Sequence, residues 1–444
     1  MVDELHGKSV IVVGLGQSGV SAARLCLERG AKVIGNDIRP TSDLGEAARA
    51  LGIELRGGGH EGVPFEAADL VVLSPGVPSF PALERAEARG VPVIGELELA
   101  SRFVRAPILA VGGTNGKSTV TTAVAALLES ASLRVFAGGN LGTPLSEAVD
   151  RPFDVLVVEV SSFQLERTPT FRPKVSVLLN VTEDHLDRYP SFEAYANAKG
   201  NAFVNQRSDD VAVIPSDDAV CRREADRGRG RLVTFGKGGD YFVENRAIVE
   251  RKTGARFSLD ETDFHGAHNG ENAAAAVAAT RVFDISDGAV IEGLGRFRAL
   301  DHRMTLVVEL DGVRYYDDSK ATNVGAAVTA LSGLTESRAV LIAGGRDKLG
   351  SYAPLVDALA KKGRAVVVIG EAADRIASDV GNRVPVVRAT SIDEAVERAR
   401  GLAEPGDAVL LSPACSSFDM FTSYKDRGER FAAAARRLAA RRSA

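Results

Sequence analysis

Residues 111–119 have the composition and order of a phosphate-binding loop. They read VGGTNGKST, after an apolar segment and before a segment with helical periodicity. Loop amides and the N-terminus of a following helix point at an anion, and glycines let the backbone close around it. Lys117 offers a charge to the phosphates, and Ser118 can ligate Mg²⁺. The residues predicted to bind ATP phosphates are Gly112, Gly113, Thr114, Asn115, Gly116, Lys117, Ser118 and Thr119.

The loop departs from the strict GxxxxGK[ST] pattern at its first glycine, where Val111 stands. The alternative is an ordinary strand-to-helix turn with a solvated lysine. We favour the phosphate loop, because the apolar segment, the glycines, the GKST sequence and the helical segment occur together.

A second glycine-rich turn lies near the start of the sequence. Residues 14–19 read GLGQSG, which fits the GxGxxG pattern, and Asp37 ends the next apolar segment, where a carboxylate can hold a ribose hydroxyl. This pattern is weakly specific by itself. It leaves open NAD binding, the binding of another nucleotide, and a purely structural turn.

Two further candidates follow apolar segments that we predict to be strands. Glu159 follows the run VLVV, and a carboxylate at a strand end beside a phosphate loop commonly holds Mg²⁺. His185 lies in the segment NVTEDHLDRY, which follows the next apolar run, and ligands collect at the carboxyl ends of parallel strands. The alternatives are a structural salt bridge for Glu159 and a structural role for His185.

The elements that would position these residues alternate between strand and helix, which predicts an α/β fold with parallel sheets. A chain of 444 residues exceeds what one hydrophobic core usually serves. We predict three domains, over residues 1–96, 97–300 and 301–444. The first and third are expected to be Rossmann-like, and the central one is expected to carry the phosphate loop on a parallel sheet. A hairpin turning at Asp311 and Gly312 should open the third domain.

Composition excludes several classes of function. The net charge is −5 with both signs scattered, so we expect no nucleic-acid binding. The three cysteines, Cys26, Cys221 and Cys415, lack CxxC spacing and favour neither a disulfide framework nor a zinc site. We read no signal peptide and no apolar stretch of membrane-spanning length. A cytoplasmic protein without membrane insertion is expected.

Several motifs occur in one order along the chain: GTNGKST, EVSSFQLE, NVTEDHLDRY, AYANAK, HNGEN, DHR and DDSKATN. This combination resembles the Mur ligase family, the ATP-dependent amide-bond ligases of peptidoglycan precursor synthesis. The segments SPGVP and LSPACSSFDMF, with EVSSFQLE and HLDRY, are most similar to the members that add D-glutamate to UDP-N-acetylmuramoyl-L-alanine.

The resemblance implies that ATP phosphorylates the terminal carboxylate of the UDP-linked acceptor and that the amine of D-glutamate attacks the resulting acyl phosphate. It implies ATP and Mg²⁺ as cofactors and a monomeric enzyme. The alternatives are a sister Mur-type or folylpolyglutamate-type ligase, an NAD oxidoreductase, and a nucleotide-gated binding protein.

The resemblance also assigns residues. ATP would be bound, beyond the loop, by Asn269, Asn272, Arg303 and Asp318, with Lys320 from the third domain. The UDP-linked acceptor would be bound by Gly16, Gln17, Ser18, Gly19, Asp37, Ser74, Gly76 and Asn140. D-glutamate would be bound by Thr322, Lys348, Ser417 and Tyr424, of which Tyr424 replaces a phenylalanine and Lys348 has a solvated surface charge as its alternative reading.

The predicted metal ligands are Ser118 and Glu159 for one Mg²⁺, and His185 and Lys199 for a second. Glu159, His185 and Lys199 are also, with Lys117, the predicted catalytic residues. An ammonium group is a poor metal ligand, so the resemblance implies that CO₂ converts Lys199 into a carbamate with oxygen ligands. The alternative is a lysine on a helix surface in water.

Overall fold

Three separate β-sheets organise the chain. The computed structural model describes residues 4–443 and divides them into two compact units. One unit runs to Val181 and resumes over Ala196–Phe297, and it holds the first two sheets. The other comprises Thr182–Tyr195 and the chain from Arg298 onward, with the third sheet. The predicted α/β fold is confirmed, with one sheet for each of the three predicted domains, while the boundaries at residues 96 and 300 stay a prediction.

The first sheet is parallel, with the strand order β3-β2-β1-β4-β5. Its strands are β1 (Ser9–Val13), β2 (Lys32–Asp37), β3 (Glu54–Gly57), β4 (Leu70–Leu73) and β5 (Val93–Gly95). Its helices are α1 (Gln17–Glu28), α2 (Glu46–Arg49) and α3 (Pro81–Ala88). The order reverses between β1 and β4, and such a switch point opens a crevice at the carboxyl ends of the strands. The GLGQSG turn follows β1 at this point.

The central sheet has nine strands in the order β14-β13-β12-β11-β10-β9-β6-β8-β7. The strands are β6 (Ile108–Gly112), β7 (Val135–Gly139), β8 (Val155–Glu159), β9 (Val175–Leu178), β10 (Val211–Pro215), β11 (Arg231–Phe235), β12 (Tyr241–Glu244), β13 (Ala247–Glu250) and β14 (Arg256–Ser258). The helices are α4 (Glu96–Ser101), α5 (Lys117–Ser130), α6 (Ser162–Leu165), α7 (Phe192–Val204), α8 (Ala219–Ala225), α9 (Ala267–Thr280) and α10 (Asp287–Arg296).

The expectation of a parallel central sheet is wrong at one edge. β12, β13 and β14 pair antiparallel, although the rest of the sheet is parallel. Asn245 and Arg246 join β12 to β13 with φ of 50° and 54°. Two successive residues with positive φ form the tight turn that reverses a chain into a hairpin. Neither residue is a glycine, so the turn lacks the Asn-Gly or Asp-Gly pair that marks most tight hairpins.

The third sheet has the order β15-β16-β20-β17-β18-β19. Its strands are β15 (Thr305–Leu310), β16 (Val313–Asp317), β17 (Ala339–Gly344), β18 (Gly363–Ile369), β19 (Val386–Arg388) and β20 (Ala408–Leu411). Its helices are α11 (Val324–Gly333), α12 (Ala353–Lys362), α13 (Ala373–Val380), α14 (Ile392–Leu402) and α15 (Tyr424–Ser443). The hairpin of β15 and β16 is confirmed, with φ of 52° at Asp311 and 73° at Gly312.

Buried apolar side chains cover both faces of each sheet. Sheets enclosed in this way present their strand ends, rather than their faces, to ligands. All three cysteines are buried free thiols. Among residues 4–443, no helix combines the length and the apolar composition that a bilayer crossing requires.

Candidate active site

The phosphate loop joins β6 to α5, as predicted from its sequence. Gly113 and Gly116 have φ of 143° and 86°, which side-chain-bearing residues rarely adopt. A Cβ at Gly116 would also lie 2.6 Å from Asn272 Oδ1. Lys117 Nζ donates to the carbonyl oxygens of Gly113 (3.0 Å) and Thr114 (2.8 Å), so the ammonium group folds over the loop. The loop thus holds a cation above a strand end, as phosphate binding requires.

A second lysine approaches the same loop. Lys199 on α7 is 3% exposed, and its Nζ donates to the Gly113 carbonyl oxygen at 2.8 Å. Lys199 is therefore not the solvated surface lysine that we considered as the alternative. Lys117 and Lys199 both donate to one carbonyl group, which concentrates positive charge at the mouth of the loop. An anion would relieve this repulsion.

The first turn of α9 borders the loop on another side. Asn272 Nδ2 donates to Asn269 Oδ1 at 3.3 Å, and Asn269 Nδ2 donates to the His265 carbonyl oxygen at 3.0 Å. With Asn272 against Gly116, the structure brings both predicted asparagines to the phosphate loop or its immediate border.

Asn180 is a residue of this site that sequence reasoning did not assign. Its Oδ1 accepts a hydrogen bond from Asn115 N (2.9 Å), and its Nδ2 donates to Asn115 O (3.1 Å). Its own carbonyl oxygen accepts from Thr114 N (2.9 Å). A carboxamide can pair with both sides of a peptide unit because it carries donor and acceptor. Asn180 therefore fixes the shape of the loop, and its only sequence signal was its place after β9.

Glu159 ends β8, beside the strand that leads into the phosphate loop. It is 1% exposed, and its Oε1 accepts a hydrogen bond from Asn140 Nδ2 at 2.6 Å. Its Oε2 is buried and has no hydrogen-bond partner within the part of the chain that the structure describes. A buried carboxylate oxygen without a donor is costly, and a hard cation would compensate it. Glu159 therefore fits the Mg²⁺ predicted there.

In the first sheet, Asp37 lies beneath the GLGQSG turn. Its Oδ2 accepts from Leu15 N at 2.7 Å, and Arg39 donates to both carboxylate oxygens at 2.9 and 2.8 Å. Burial works to raise the pKa of Asp37, but the bonds from Arg39 and Leu15 outweigh it and lower that pKa to about 2. Asp37 is thus an anion that supports the turn.

The other predicted residues of the first domain surround the same turn. Ser74 Oγ donates to Gly14 O at 2.6 Å. A Cβ at Gly19 would lie 1.8 Å from Gly14 O, so only glycine fits this helix position. Gln17 and Ser18 open α1 after Gly16, and Gly76 follows β4 in the adjoining loop. All the predicted acceptor residues except Asn140 lie at the carboxyl ends of β1, β2 and β4.

In the second compact unit, Lys348 forms an ion pair with Asp184. Lys348 Nζ lies 2.9 Å from Asp184 Oδ1, and the side chains are 14% and 6% exposed. Asp184 also accepts from Asn323 Nδ2 at 3.3 Å, and its Oδ2 lies 3.7 Å from His185 Nε2. Lys348 is therefore not a solvated surface charge. Sequence reasoning assigned no role to Asp184, although it directly precedes the candidate His185.

Asp318 is a buried acid in the loop after β16. Its Oδ2 accepts from Ser412 Oγ at 2.8 Å. Burial raises the pKa of Asp318 to about 7, although the Ser412 bond and the charge of Arg303 oppose the rise. The predicted ATP residues Arg303 and Asp318 are thus close enough to interact electrostatically.

Arg427 on α15 organises the predicted D-glutamate residues, and sequence reasoning missed it. Its side chain is fully buried, with Nη2 donating to Ser319 O (2.8 Å), Nε to Ser319 Oγ (3.0 Å) and Nη1 to Cys415 O (3.2 Å). It joins the loop of Lys320 and Thr322 to the loop of Ser417. Nothing in the sequence separates Arg427 from Arg430, Arg436 and Arg437, which are exposed on the same helix.

The neighbouring Tyr424 opens α15. Its ring lies 3.9 Å from Lys320 Nζ, a cation–π contact, and its carbonyl oxygen accepts from Ser319 Oγ at 2.8 Å. Ser417 is buried in the adjoining loop, and Thr322 N donates to Lys320 O at 2.9 Å. The structure brings Tyr424 and Lys320 together.

Three family models match successive parts of the sequence. They describe a Mur ligase MurD-like N-terminal domain (residues 8–95), a Mur ligase middle domain (111–280) and a Mur ligase glutamate ligase domain (302–415). The chain belongs to the Mur ligase family. This excludes the NAD oxidoreductase that the GLGQSG turn had left open.

Full-length relatives of this Mur ligase bear the name UDP-N-acetylmuramoylalanine--D-glutamate ligase. That of Anaeromyxobacter dehalogenans is 46% identical over 458 residues, covering 98% of each chain. That of Trichlorobacter lovleyi is 43% identical over 447 residues, covering 98% of this chain and all of the other. The solved UDP-N-acetylmuramate-alanine ligase of Thermotoga maritima is 21% identical with a TM-score of 0.62, covering 98% of this chain and 100% of that one, and it is similar in fold.

The predicted residues of this Mur ligase fall into sets within its two compact units. The middle-domain set comprises the phosphate loop with Asn140, Glu159, Lys199, Asn269 and Asn272. The set around the third sheet comprises Arg303, Asp318, Lys320, Thr322, Lys348, Ser417 and Tyr424. His185 lies in the same compact unit, because the segment Thr182–Tyr195 belongs to that unit.

Proposed function

We propose that this chain is an ATP-dependent ligase that adds D-glutamate to UDP-N-acetylmuramoyl-L-alanine through an acyl phosphate, in peptidoglycan precursor synthesis. The observation that carries the chemistry is the pair of lysines at the Gly113 carbonyl, together with the buried Glu159 oxygen that has no hydrogen-bond partner among the described residues. The full-length relatives with this activity in their names support the choice of substrates.

The first step transfers the γ-phosphoryl group. A carboxylate oxygen of the acceptor attacks the γ-phosphorus, the bond to the β,γ-bridging oxygen breaks, and ADP leaves. The loop amides and Lys117 would bind the β- and γ-phosphates, where negative charge develops. Lys117 would exchange its bonds to Gly113 and Thr114 for bonds to phosphate oxygens.

Mg²⁺, when bound, would neutralise phosphate oxygens and bring the two anionic reactants together. Ser118 and Glu159 would hold one ion, with phosphate oxygens completing the ligands, as is usual for Mg²⁺ sites with few carboxylates. Lys199 as a carbamate would offer oxygen ligands to a second ion, and it would then no longer repel Lys117. The assignment of His185 to that second ion is part of the same proposal.

The second step forms the amide. The amine nitrogen of D-glutamate attacks the acyl carbon, the bond from that carbon to the phosphoryl oxygen breaks, and phosphate leaves as the nitrogen loses a proton. Lys348 would pair with a carboxylate of D-glutamate, exchanging or sharing its present partner Asp184. Thr322, Ser417 and Tyr424 would complete this site, with Arg427 fixing two of its loops.

The acceptor would bind through its UDP portion at the GLGQSG turn, with Asp37, Ser74 and Gly76 at the adjoining strand ends. Asn140, bonded to Glu159, would contact the acceptor near the reacting groups. We further propose domains over residues 1–96, 97–300 and 301–444. A cytoplasmic monomer completes the proposal, and the three buried free thiols are compatible with a reducing compartment.

The test is ADP formation by the purified protein with each UDP-muramoyl acceptor and each candidate amino acid. We expect turnover only with UDP-N-acetylmuramoyl-L-alanine and D-glutamate together, and a product whose mass equals their sum minus one water. Turnover with a different acceptor or amino acid would identify a sister ligase instead. ADP formation that needs no acceptor would contradict the ligase itself.

A further inference from the structure

Two buried glutamates on α4 differ in what compensates their charge. Glu98 accepts from Arg102 Nε (2.9 Å) and from the backbone nitrogens of Thr170 (3.0 Å) and Phe171 (2.9 Å). Glu96, which is 1% exposed, has no ion pair with any residue that the structure describes, and its buried Oε2 lacks a hydrogen-bond partner there. Glu96 Oε1 does accept a hydrogen bond from Ser146 N at 2.7 Å, but this amide bond does not offset the hydration that an ionised carboxylate without an ion pair would lose.

The hydrogen atoms available around Glu96 can be counted. Three short contacts run in series: Glu96 Oε1 to Ser146 Oγ (2.7 Å), Ser146 Oγ to Ser21 Oγ (2.7 Å), and Ser21 Oγ to Glu147 Oε1 (2.8 Å). Glu147 is a carboxylate paired with Arg24 at 3.0 Å, so it only accepts.

Each hydroxyl in this series supplies one hydrogen. Ser21 donates its hydrogen to Glu147, and Ser146 therefore donates its own to Ser21. The contact between Ser146 Oγ and Glu96 then needs a hydrogen from Glu96 itself. Burial raises the pKa of Glu96 and the charge of Glu147 adds to this rise, while the bond from the backbone N–H of Ser146 opposes it.

This series joins two segments to which we assign the acceptor. Ser21 lies on α1, whose first turn carries Gln17, Ser18 and Gly19. Ser146 lies on a 3₁₀ helix, Leu145–Ala148, six residues after Asn140. Gly139 N donates to Thr143 O at 2.7 Å, so the intervening turn is tightly closed. A shift of Ser146 would thus be transmitted to Asn140.

We propose that Glu96 is a neutral carboxylic acid that donates a hydrogen bond to Ser146 Oγ. This bond keeps the GLGQSG turn and the Asn140 segment at fixed positions relative to each other, so that both can contact the UDP-linked acceptor. Glu96 is a positioning residue and touches no reacting atom. Its protonation stands on the hydrogen count alone, while its link to the acceptor rests on the proposed function. Other charged groups near the series are Arg151, Glu98 and Arg102.

The direct test is infrared spectroscopy of the full-length wild-type protein against Glu96→Gln. At pH 7 the difference spectrum should contain the carbonyl stretch of a protonated carboxylic acid. Glu98→Gln is the matched control, since Glu98 is equally buried on the same helix but paired with Arg102, and its difference spectrum should lack that band. A missing band for Glu96 would overturn the proposal.

A second variant tests the count itself. Ser21→Ala leaves the hydrogen of Ser146 free for Glu96, so Glu96 should ionise at a lower pH and lose its acid band earlier in a pH titration. An unchanged titration would contradict the hydrogen count. This variant retains the Glu96 side chain and needs no charge change in the core.

Stability provides an independent readout with a defined sign. A raised folded-state pKa gives stability that is present below the unfolded value near 4.3 and is lost as pH rises through the folded value. The folding equilibrium of Glu96→Gln relative to wild type should therefore improve about tenfold per pH unit across that window. If the Tm of Glu96→Gln does not rise relative to the Tm of the wild type as pH increases across that window, a neutral Glu96 is contradicted.

The positioning role is tested by steady-state kinetics. The acceptor KM of the wild type should rise about tenfold toward alkaline pH, as one hydrogen bond is lost, while that of Glu96→Gln stays constant with pH. The KM values for ATP and D-glutamate should not follow this trend. An acid band without the KM trend would overturn the positioning role. A wild type that forms no product would refute the proposed function and leave the spectroscopic result standing.

Discussion

Two glycine-rich turns in the first compact unit share one design and differ in the charge beneath them. Each follows a buried parallel strand and begins a helix. Under the GLGQSG turn, the carboxylate of Asp37 accepts the Leu15 amide hydrogen. At the phosphate loop, the ammonium groups of Lys117 and Lys199 donate to Gly113. An anion suits the hydroxyl groups of a ribose and cations suit phosphates, so we infer that this charge, more than the glycine spacing, separates the two proposed functions.

The largest expected effect comes from removing the cation of the phosphate loop. Lys117→Ala should lower kcat/KM by about 10³-fold or more, because the charge acts where the transition state is most negative. The fold should persist, since the ammonium group donates to two loop carbonyl oxygens and the side chain is only partly buried. Thermal unfolding measures whether the variant is folded, and ADP formation measures its kcat/KM. Lys174→Ala, which removes a half-exposed lysine paired with Asp209, is the control. Near-normal activity of folded Lys117→Ala would remove the contrast between the turns.

The second cation sharpens the comparison. Lys199→Ala should be nearly inactive, and if the lysine acts as a carbamate, short carboxylates that fill the vacated space should partly restore turnover. Arg or Met at this position should not be rescued, because neither leaves that space. Mass spectrometry of the native protein in bicarbonate would show the added CO₂. A fully active Lys199→Ala would refute both the carbamate and the second metal.

A third lysine shows whether the loss of any cation has the same effect. Lys348→Ala should impair the use of D-glutamate by about 10- to 150-fold, the loss of one charge-assisted contact of about 1.5 to 3 kcal/mol. Use of ATP should change little. Lys361→Ala, at an exposed position on α12, is the control. Unchanged KM and kcat/KM for D-glutamate would make Lys348 a structural partner of Asp184 only.

How much of this the sequence could predict depends on the range of each contact. The phosphate loop and α5 were predictable because strand, glycines, lysine and helix are contiguous, and α5, Lys117–Ser130, begins within the loop sequence as the helical periodicity predicts. The bonds of Asn180 to Asn115 span 65 positions, and the Lys348–Asp184 pair spans 164. Such partners are brought together by the tertiary fold, so they cannot be predicted from the local spacing of residues in the sequence.

Arg427 and the strands β12 to β14 illustrate the same limit. Arg427 is buried because two loops distant in sequence enclose it, whereas Arg430, Arg436 and Arg437 of the same helix are exposed. The antiparallel edge of the central sheet turns at Asn245 and Arg246, which lack the glycine that marks most tight hairpins. Local composition therefore predicted the class of fold but not the antiparallel direction of these strands.

The smallest expected effect concerns the anion of the first turn. Asp37→Asn should raise the acceptor KM by about tenfold, because the turn loses a stabilisation comparable to that of one hydrogen bond. The KM for ATP should stay unchanged. Asp154→Asn is the control, because Asp154 also pairs with an arginine, Arg134, but lies at the start of β8, and it should leave the acceptor KM unchanged.

The pH dependence of stability tests the same anion without any substrate. The folded pKa of Asp37 is about 2, below the unfolded value near 3.9. A lowered pKa gives stability that is present above pH 3.9 and is lost as pH falls toward 2. The Tm of the wild type should therefore exceed that of Asp37→Asn at neutral pH, and the difference should shrink below pH 4. A difference independent of pH in that range would mean that Asp37 is not held as an anion, and the two turns would then not differ in charge as we infer.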